Sequence, residues 1–380
     1  MAQVKAAVMV APGKIELRTF PKPKGTEDAL WMRVDQVGLC GSDQHMYLGH
    51  SKLNFPVIPG HEVVGTVEEI GPKANEAMNG GGGPLSLGDR ITIVPGSQGC
   101  GKCYYCTHVP HRPTLCPNRT VYGFANCEQP PHLTGAFAEY VYVHGKSWVF
   151  KVSDAIPEGR RAMAEPAAVA TRAVERSFAP GVPQIGAGFG IGKSAAVLGT
   201  GPIGLMTVAV LRHVGAGKII ATDATTSRLE VAKQFGADLV LDVSKTTPEE
   251  RLEQVLAFTD GIGPDVVIEC AGVPAAFKEA LDLVRRGGKM IEVGHYTDPG
   301  EVAIRPHVIC RKDVDIAGIW AYPAVQFEAA LDFLERSAAP LEMLVTHRLP
   351  LDRIEEGIRM LGTEGVLKVV VEPQGVNRET

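Results

Sequence analysis

The sequence predicts an α/β protein in two dissimilar parts: an irregular β-rich unit or barrel, then a doubly wound parallel sheet. Three observations predict it. The first 160 residues are rich in glycine, proline and short β-like runs. From about Glu165 onward strands and helices alternate. Early in that alternation a glycine-rich turn joins a strand to a helix.

The β-like runs of the first part include Val63–Ile70, Arg90–Val94 and Ala138–Val143. Turn signals at Gly71-Pro72, Pro95-Gly96 and Pro130-Pro131 separate them, the pattern of short strands joined by tight turns. Ala74–Leu87, with Gly80 to Gly83 in succession, reads as a flexible surface insertion. In the second part, strands at Ala195–Leu198, Lys218–Thr222, Asp238–Asp242, Asp265–Glu269 and Lys289–Val293 alternate with helical patterns at Pro202–Val214, Ser227–Phe235, Pro248–Phe258 and Ala275–Arg286. Alternation at this spacing implies βαβ units and a parallel sheet covered on both faces. The tail carries helices at Ala324–Arg336 and Asp352–Leu361, and Val366–Val371 is apolar enough to return to a core sheet. A length of 380 residues accommodates two domains.

Charged residues make up 21% of the chain and the formal net charge is -5. That balance argues against a nucleic-acid or anionic-membrane partner. The first 20 residues lack the apolar core of a secretion signal, and no run approaches a membrane span. The expected compartment is the cytoplasm. Four of the eight cysteines crowd into residues 100–116. In a chain without a secretion signal, such a cluster reads as metal ligands rather than a disulfide framework.

Gly199-Thr200-Gly201-Pro202-Ile203-Gly204 is G-x-G-x-x-G after a strand and at a helix start. Glycines let the backbone approach a pyrophosphate, and the helix N-terminus offers free N–H groups and partial positive charge. The next strand ends in Asp223, 19 residues after Gly204. An acid there accepts from both ribose hydroxyls and repels a 2′-phosphate, which favours NAD over NADP. Arg228 softens this preference, since it can stack on adenine or pair with Asp223. Ala187–Ser194 (A-G-F-G-I-G-K-S) imitates the phosphate loop of nucleotide hydrolases. A phosphate loop needs a strand before it and a helix after it; here a loop precedes and a strand follows, so a surface loop is expected.

Cys100, Cys103, Cys106 and Cys116 supply four thiolates, the donor set of a closed structural zinc site. Iron–sulfur ligation uses similar spacings. A second, dispersed set comprises Cys40 in G-L-C-G-S-D, His61-Glu62 in G-H-E, and Glu165-Pro166. One thiolate, one imidazole and one or two carboxylates suit a catalytic zinc that leaves room for water or substrate. Asp43 is placed to accept from the other nitrogen of His61.

These motifs, with G-D-R at Gly88–Arg90, run through essentially the whole chain. The chain resembles the zinc-containing medium-chain alcohol dehydrogenases, within them the sorbitol and threonine dehydrogenase branch. The resemblance implies a GroES-like β-barrel catalytic domain, split in sequence (1–166 and 322–380), with a cysteine lobe at about 96–120. It implies a Rossmann domain at 167–321 and an active site in the cleft between the two. It implies two zinc ions per chain and NAD. Cys40 and His61 would bind the catalytic zinc, Glu165 would take the third position directly or through water, and Glu62 would sit beside the metal. Ser42 would pass on the alcohol proton and His45 would carry it toward solvent. Asp223 would hold the adenosine ribose. The branch commonly forms dimers or tetramers.

Two departures from the family stand out. Nine residues separate the third and fourth lobe cysteines where seven are usual, so His108 or His111 competes with Cys116 as fourth ligand. The Gly181–Gly192 entry to the second domain has no assignment. A glutamate at the third zinc position resembles polyol, sugar and amino-alcohol enzymes. The expected substrate is therefore a secondary alcohol or its ketone: a polyol, cyclitol, amino alcohol or hydroxy-acid derivative. Tyr47, His50, Asn54, Phe55, His295 and Trp320 are positioned in the sequence to approach its pocket, whereas Arg305 and Arg311 read as solvated. The competing readings are an NAD-binding scaffold or regulator on the same fold and a zinc-free quinone or enoyl reductase.

Overall fold

The computed structural model describes residues 3–22, 24–96, 99–178 and 189–375. The chain divides into two compact units, one of Met1–Glu165, Pro323–Glu335 and Glu342–Thr380, the other of Pro166–Tyr322 and Arg336–Leu341.

The first unit is β-rich. Its strands are β1 (Gln3–Ala11), β2 (Lys14–Pro21), β3 (Leu30–Gly38), β4 (Glu62–Ile70), β5 (Asn79–Gly81), β6 (Arg90–Ile93), β7 (Tyr140–Val143) and β8 (Trp148–Lys151). β1 and β2 form an antiparallel ribbon. β3 is the hub of the larger sheet: it pairs antiparallel with both β4 and β7. Most of its residues are buried (Leu30, Trp31, Met32, Val34, Val37), so it carries no simple inside–outside alternation.

Residues 74–87 differ from the flexible insertion expected of them. Ala74–Ala77 forms a helical turn, and β5 adds to the sheet in parallel with β8. The Asn75 side chain donates to Leu85 O (3.0 Å) and accepts from Leu85 N (2.7 Å). Ala74 and Leu85 are buried. Two buried apolar anchors and a side chain that closes the loop outweigh the glycine content.

The second unit contains β9 (Ser194–Leu198), β10 (Lys218–Asp223), β11 (Leu239–Asp242), β12 (Val266–Glu269), β13 (Lys289–Glu292) and β14 (Asp315–Gly318). They form one sheet in the order β11-β10-β9-β12-β13-β14, parallel at every pairing. The order runs outward in both directions from β9 and β12, which makes this the expected doubly wound sheet. Its core comes from the strands (Ala196, Leu198, Ile220, Val267, Met290) and the helices over them (Val255, Ala280, Leu281, Val284). Of the Gly181–Gly192 stretch, 181–188 lie outside the described residues, as do Ala187 and Gly188 of the phosphate-loop imitation. Ser194 begins β9, so a strand follows that loop.

The chain then adds β15 (Val345–Pro350) and β16 (Lys368–Glu372) to the first unit. β16 pairs antiparallel with the end of β3, Val371 opposite Val37 and Val370 opposite Gly38. Among the described residues no helix is long and apolar enough to cross a membrane.

Candidate functional site

β3 and β4 run antiparallel with Gly38 opposite Glu62. The register places the turn after β3, which carries Cys40, beside the residue before β4, His61. One donor atom each from Cys40, His61 and Glu62 lie within 4.8 Å of one another. Cys40 is also the N-cap of the helix Gly41–Tyr47, whose first turn carries Ser42 and Asp43. Ser42 Oγ is 3.4 Å from His61 Nε2.

Asp43 is fully buried and fastens the two segments together. Its carboxylate accepts from Cys40 N (2.9 Å) and Gly60 N (3.4 Å). Burial pushes this carboxyl above its usual range, against the pull of His61 and the two backbone donors. Asp43 Oδ1 lies 3.8 Å from His61 Nδ1, and that nitrogen is buried without a hydrogen-bond partner. An imidazole that ligates a metal through Nε2 turns Nδ1 toward such a carboxylate. Burial opposes charge on His61, but the Cys40 sulfur, Asp43 and Glu165 raise it to about 10. The surroundings of this ring thus favour a cation, and sulfur, nitrogen and oxygen donors together suit zinc.

Glu62, the third member of the cluster, is buried and paired with a residue that the sequence reading did not single out. Lys368 of β16 donates to Glu62 Oε1 (2.8 Å), Glu62 Oε2 (2.7 Å) and Leu39 O (3.1 Å). Burial works against the ammonium charge, but Glu62, Cys40 and Glu165 hold its pKa above the ordinary lysine value. Gly38 leaves the space, since a Cβ there would stand 2.1 Å from Glu62 Oε2. The sequence signal was a lone lysine inside the apolar run Val366–Val371. Glu165, in the first turn of the helix Ala164–Ser177, stands outside the three-residue cluster, although its charge is felt at His61 and Lys368.

His45 is half-buried, its Nδ1 3.1 Å from His50 Nδ1. Burial and the neighbouring His50 lower its pKa. Tyr47 is buried, donates to Glu355 (2.6 Å) and accepts from Arg359 (2.8 Å), so its hydroxyl is committed to packing the helix Ile354–Met360. Arg305 and Arg311 are exposed.

Cys100, Cys103, Cys106 and Cys116 bring their four sulfurs within 4.8 Å of one another. Cys103 Sγ is 3.5 Å from Cys106 Sγ and 3.8 Å from Cys116 Sγ. A tetrahedron with metal–sulfur bonds near 2.3 Å has edges of about 3.8 Å, so the lobe fits a zinc ion. His108 turns away from it and stacks on Tyr104, with centroids 4.4 Å apart. The cluster is completed by Cys116.

In the second unit, Gly199 has φ +88, and a Cβ on it would meet Ala271 Cα at 2.6 Å. A Cβ at Gly204 would stand 1.8 Å from Gly199 O. Both positions therefore exclude a side chain where strand turns into helix. Gly201 caps the helix Pro202–His213, and Pro202 fills its first position. That leaves the N–H groups of Ile203 and Gly204 at a helix N-terminus. Asp223 closes β10, with one carboxylate oxygen accepting from Thr200 N (2.7 Å) and the other from Thr225 N (2.8 Å). Each oxygen keeps a lone pair for a further donor. Arg228, in the helix Thr226–Gln234 that follows β10, is half-buried.

The description "Alcohol dehydrogenase GroES-like domain" matches residues 26–154, and "Zinc-binding dehydrogenase" matches residues 202–336. The sorbitol dehydrogenase of Bacillus subtilis (strain 168) is 33% identical over 377 residues, 97% of this chain and 97% of its own. An alcohol dehydrogenase from Thermotoga maritima has a similar structure, with TM-score 0.89 and 30% identity over 98% of this chain and 100% of that one. A chain described as a zinc-binding dehydrogenase from Sinorhizobium meliloti 1021, bound to NADP, gives TM-score 0.84 and 30% identity over 98% of this chain and 100% of its own. This chain belongs to the zinc-containing medium-chain alcohol dehydrogenases, on their sorbitol dehydrogenase-like branch.

Proposed function

We propose that the protein is a zinc-dependent dehydrogenase that moves a hydride between a secondary alcohol and NAD, with two zinc ions per chain. The observation that carries this reading is the Cys40–His61–Glu62 cluster, whose ligand atoms converge in a buried setting that favours a cation. A scaffold that only bound a dinucleotide would have no use for it.

In this reading Cys40 and His61 hold the catalytic zinc, and Glu165 supplies the third position directly or through water. Zinc there supplies a Lewis acid that makes an alcohol hydroxyl more acidic. Asp43 orients His61, and Lys368 restrains Glu62 beside the site. Ser42 takes the hydroxyl proton. His45, one helical turn on, passes it toward solvent; its lowered pKa keeps the ring neutral and ready to accept near pH 7. Gly199–Gly204 cradles the pyrophosphate and Asp223 receives the ribose hydroxyls. The lobe cysteines hold the structural zinc.

A glutamate at the third zinc position and the sorbitol dehydrogenase relative favour a polyol substrate, with cyclitols, amino alcohols and hydroxy acids next. The test is NADH absorbance across these classes and simple alcohols, with NAD or NADP, before and after chelation. Chelator-sensitive turnover with NAD on a polyol or another secondary alcohol is expected, from protein holding two zinc ions per chain. A preparation free of zinc that reduces quinones or enoyl compounds would overturn the reading.

A further inference from the structure

A third group of ligating side chains lies in the second unit. β12 and β13 end side by side in parallel register, each on a glutamate, Glu269 opposite Glu292. His295 follows in the loop after β13, its Nδ1 2.7 Å from Glu292 Oε1 and 3.4 Å from Glu269 Oε2. One donor atom from each of the three lies within 4.8 Å of the others. Glu269 is fully buried. Its Oε1 accepts from Ala271 N (2.7 Å) and Gly272 N (2.8 Å), whereas Oε2, on the side facing His295, has no hydrogen-bond partner. Glu292 Oε2 is likewise buried and unpartnered. Among the described residues no lysine or arginine pairs with either carboxylate.

Two carboxylates in a dry site repel each other unless a shared proton or a positive charge stands between them, and burial together with Glu292 raises the Glu269 pKa to about 8. The three side chains offer what such a charge needs: two oxygen donors and one nitrogen donor, converging from two strand ends and one loop. His295 Nδ1 is within hydrogen-bond distance of Glu292 Oε1 at 2.7 Å, and this separation and the 3.4 Å to Glu269 Oε2 lie either side of the edge of about 3.0 Å expected of octahedral ligands at roughly 2.1 Å from an ion. None of the three clustered donors is a sulfur, and carboxylate with imidazole suits a harder ion such as Mn2+. The group sits at the carboxyl ends of parallel strands, the edge at which doubly wound sheets gather ligands.

We propose that Glu269, Glu292 and His295 form a divalent-cation site, separate from the Cys40 and Cys100–Cys116 clusters, that ties together the loops following β12 and β13. Zinc-loaded protein would be titrated with Mn2+, with the loss of the free-ion electron paramagnetic resonance signal reporting binding. One Mn2+ per chain is expected. Glu292→Gln and His295→Ala should each weaken it at least ten-fold, while Cys40→Ser leaves it unchanged. Circular dichroism and cofactor binding by each variant show whether it has folded. Absence of Mn2+ binding would mean that a shared proton satisfies the pair and would overturn the proposal. So would binding that survives in folded His295→Ala protein, or binding that disappears in Cys40→Ser.

Discussion

Lys368 and Glu62 form a buried ion pair across strands β16 and β4, with the ammonium bridging both carboxylate oxygens at 2.8 and 2.7 Å. Their side chains are 5% and 1% exposed. The pair joins residues far apart in the chain and stands directly behind Cys40 and His61. Removing one partner of such a pair strands the other charge, which costs roughly 3–5 kcal/mol, whereas replacing both by well-packed apolar groups of similar volume is often nearly neutral. Lys368→Met is therefore expected to lower stability by about that amount in urea unfolding of the zinc-loaded protein. The Glu62→Leu/Lys368→Met double variant should recover most of the loss. A single-variant cost below about 1 kcal/mol, the range of exposed pairs, would contradict the picture of a dry, mutually dependent pair.

The lobe offers a sharper count. Cys116 lies within the sulfur cluster, and His108 is stacked on Tyr104 outside it. Cys116→Ser should drop the zinc content by one ion per chain and lower the unfolding temperature, because structural zinc contributes directly to folding. His108→Ala and His111→Ala should keep both ions. Loss of an ion in either histidine variant, with Cys116→Ser retaining it, would move the fourth ligand to a histidine.

Asp223 already accepts two backbone N–H groups, so a substitution has to preserve an acceptor if the turn is to survive. Asp223→Asn removes the charge and keeps one acceptor oxygen, for Thr200 N or Thr225 N, while turning its N–H2 toward the other donor, so circular dichroism must show that the variant has folded. Loss of a charged hydrogen bond to the ribose, worth roughly 1.5–3 kcal/mol, predicts a fall of about 10- to 100-fold in kcat/KM for NAD. Repulsion of the 2′-phosphate falls at the same time, so kcat/KM for NADP should rise. The ratio of the two constants is the measurement. An unchanged ratio would show that Asp223 supports the turn and leaves cofactor choice to other residues.

The sequence was readable where chemistry is local. The cysteine lobe and the glycine turn before Pro202 are short motifs whose residues must be neighbours in space. The strand–helix alternation was readable because parallel strands need crossover helices. Partnerships set by sheet register were not readable. Glu62 meets Lys368 only because β16 returns beside β3, and Glu269 meets Glu292 only because β12 and β13 are neighbours in register. Residues 74–87 were misread because glycine content suggests mobility, while the anchors that hold the segment, Asn75 and Leu85, are single residues with no repeat to betray them.

The start of the parallel sheet hangs on one carboxylate. Asp265 accepts from Ser194 N (2.8 Å) and Ser194 Oγ (2.9 Å) on one oxygen, and from Arg285 Nε (2.8 Å) on the other. Its partial burial would raise the pKa, but the Ser194 and Arg285 donors outweigh burial and hold it below the usual carboxylate value. A folded-state pKa lower than the unfolded one gives stability that is fully present above an unfolded value of about 3.9 and is lost as pH falls through the folded value. Asp265→Asn keeps one acceptor oxygen but turns an amide N–H2 toward either Ser194 N or Arg285, both of which donate. A cost of roughly 1–3 kcal/mol at pH 7 follows from the unsatisfied donors. The gap between variant and parent should narrow as pH drops below about 4, because the parent loses the same charge by protonation. Urea midpoints of both proteins, compared at pH 7 and again near pH 3, measure that gap. If it stayed constant across the range, the contribution of Asp265 would have to come from side-chain shape, with no part played by its charge.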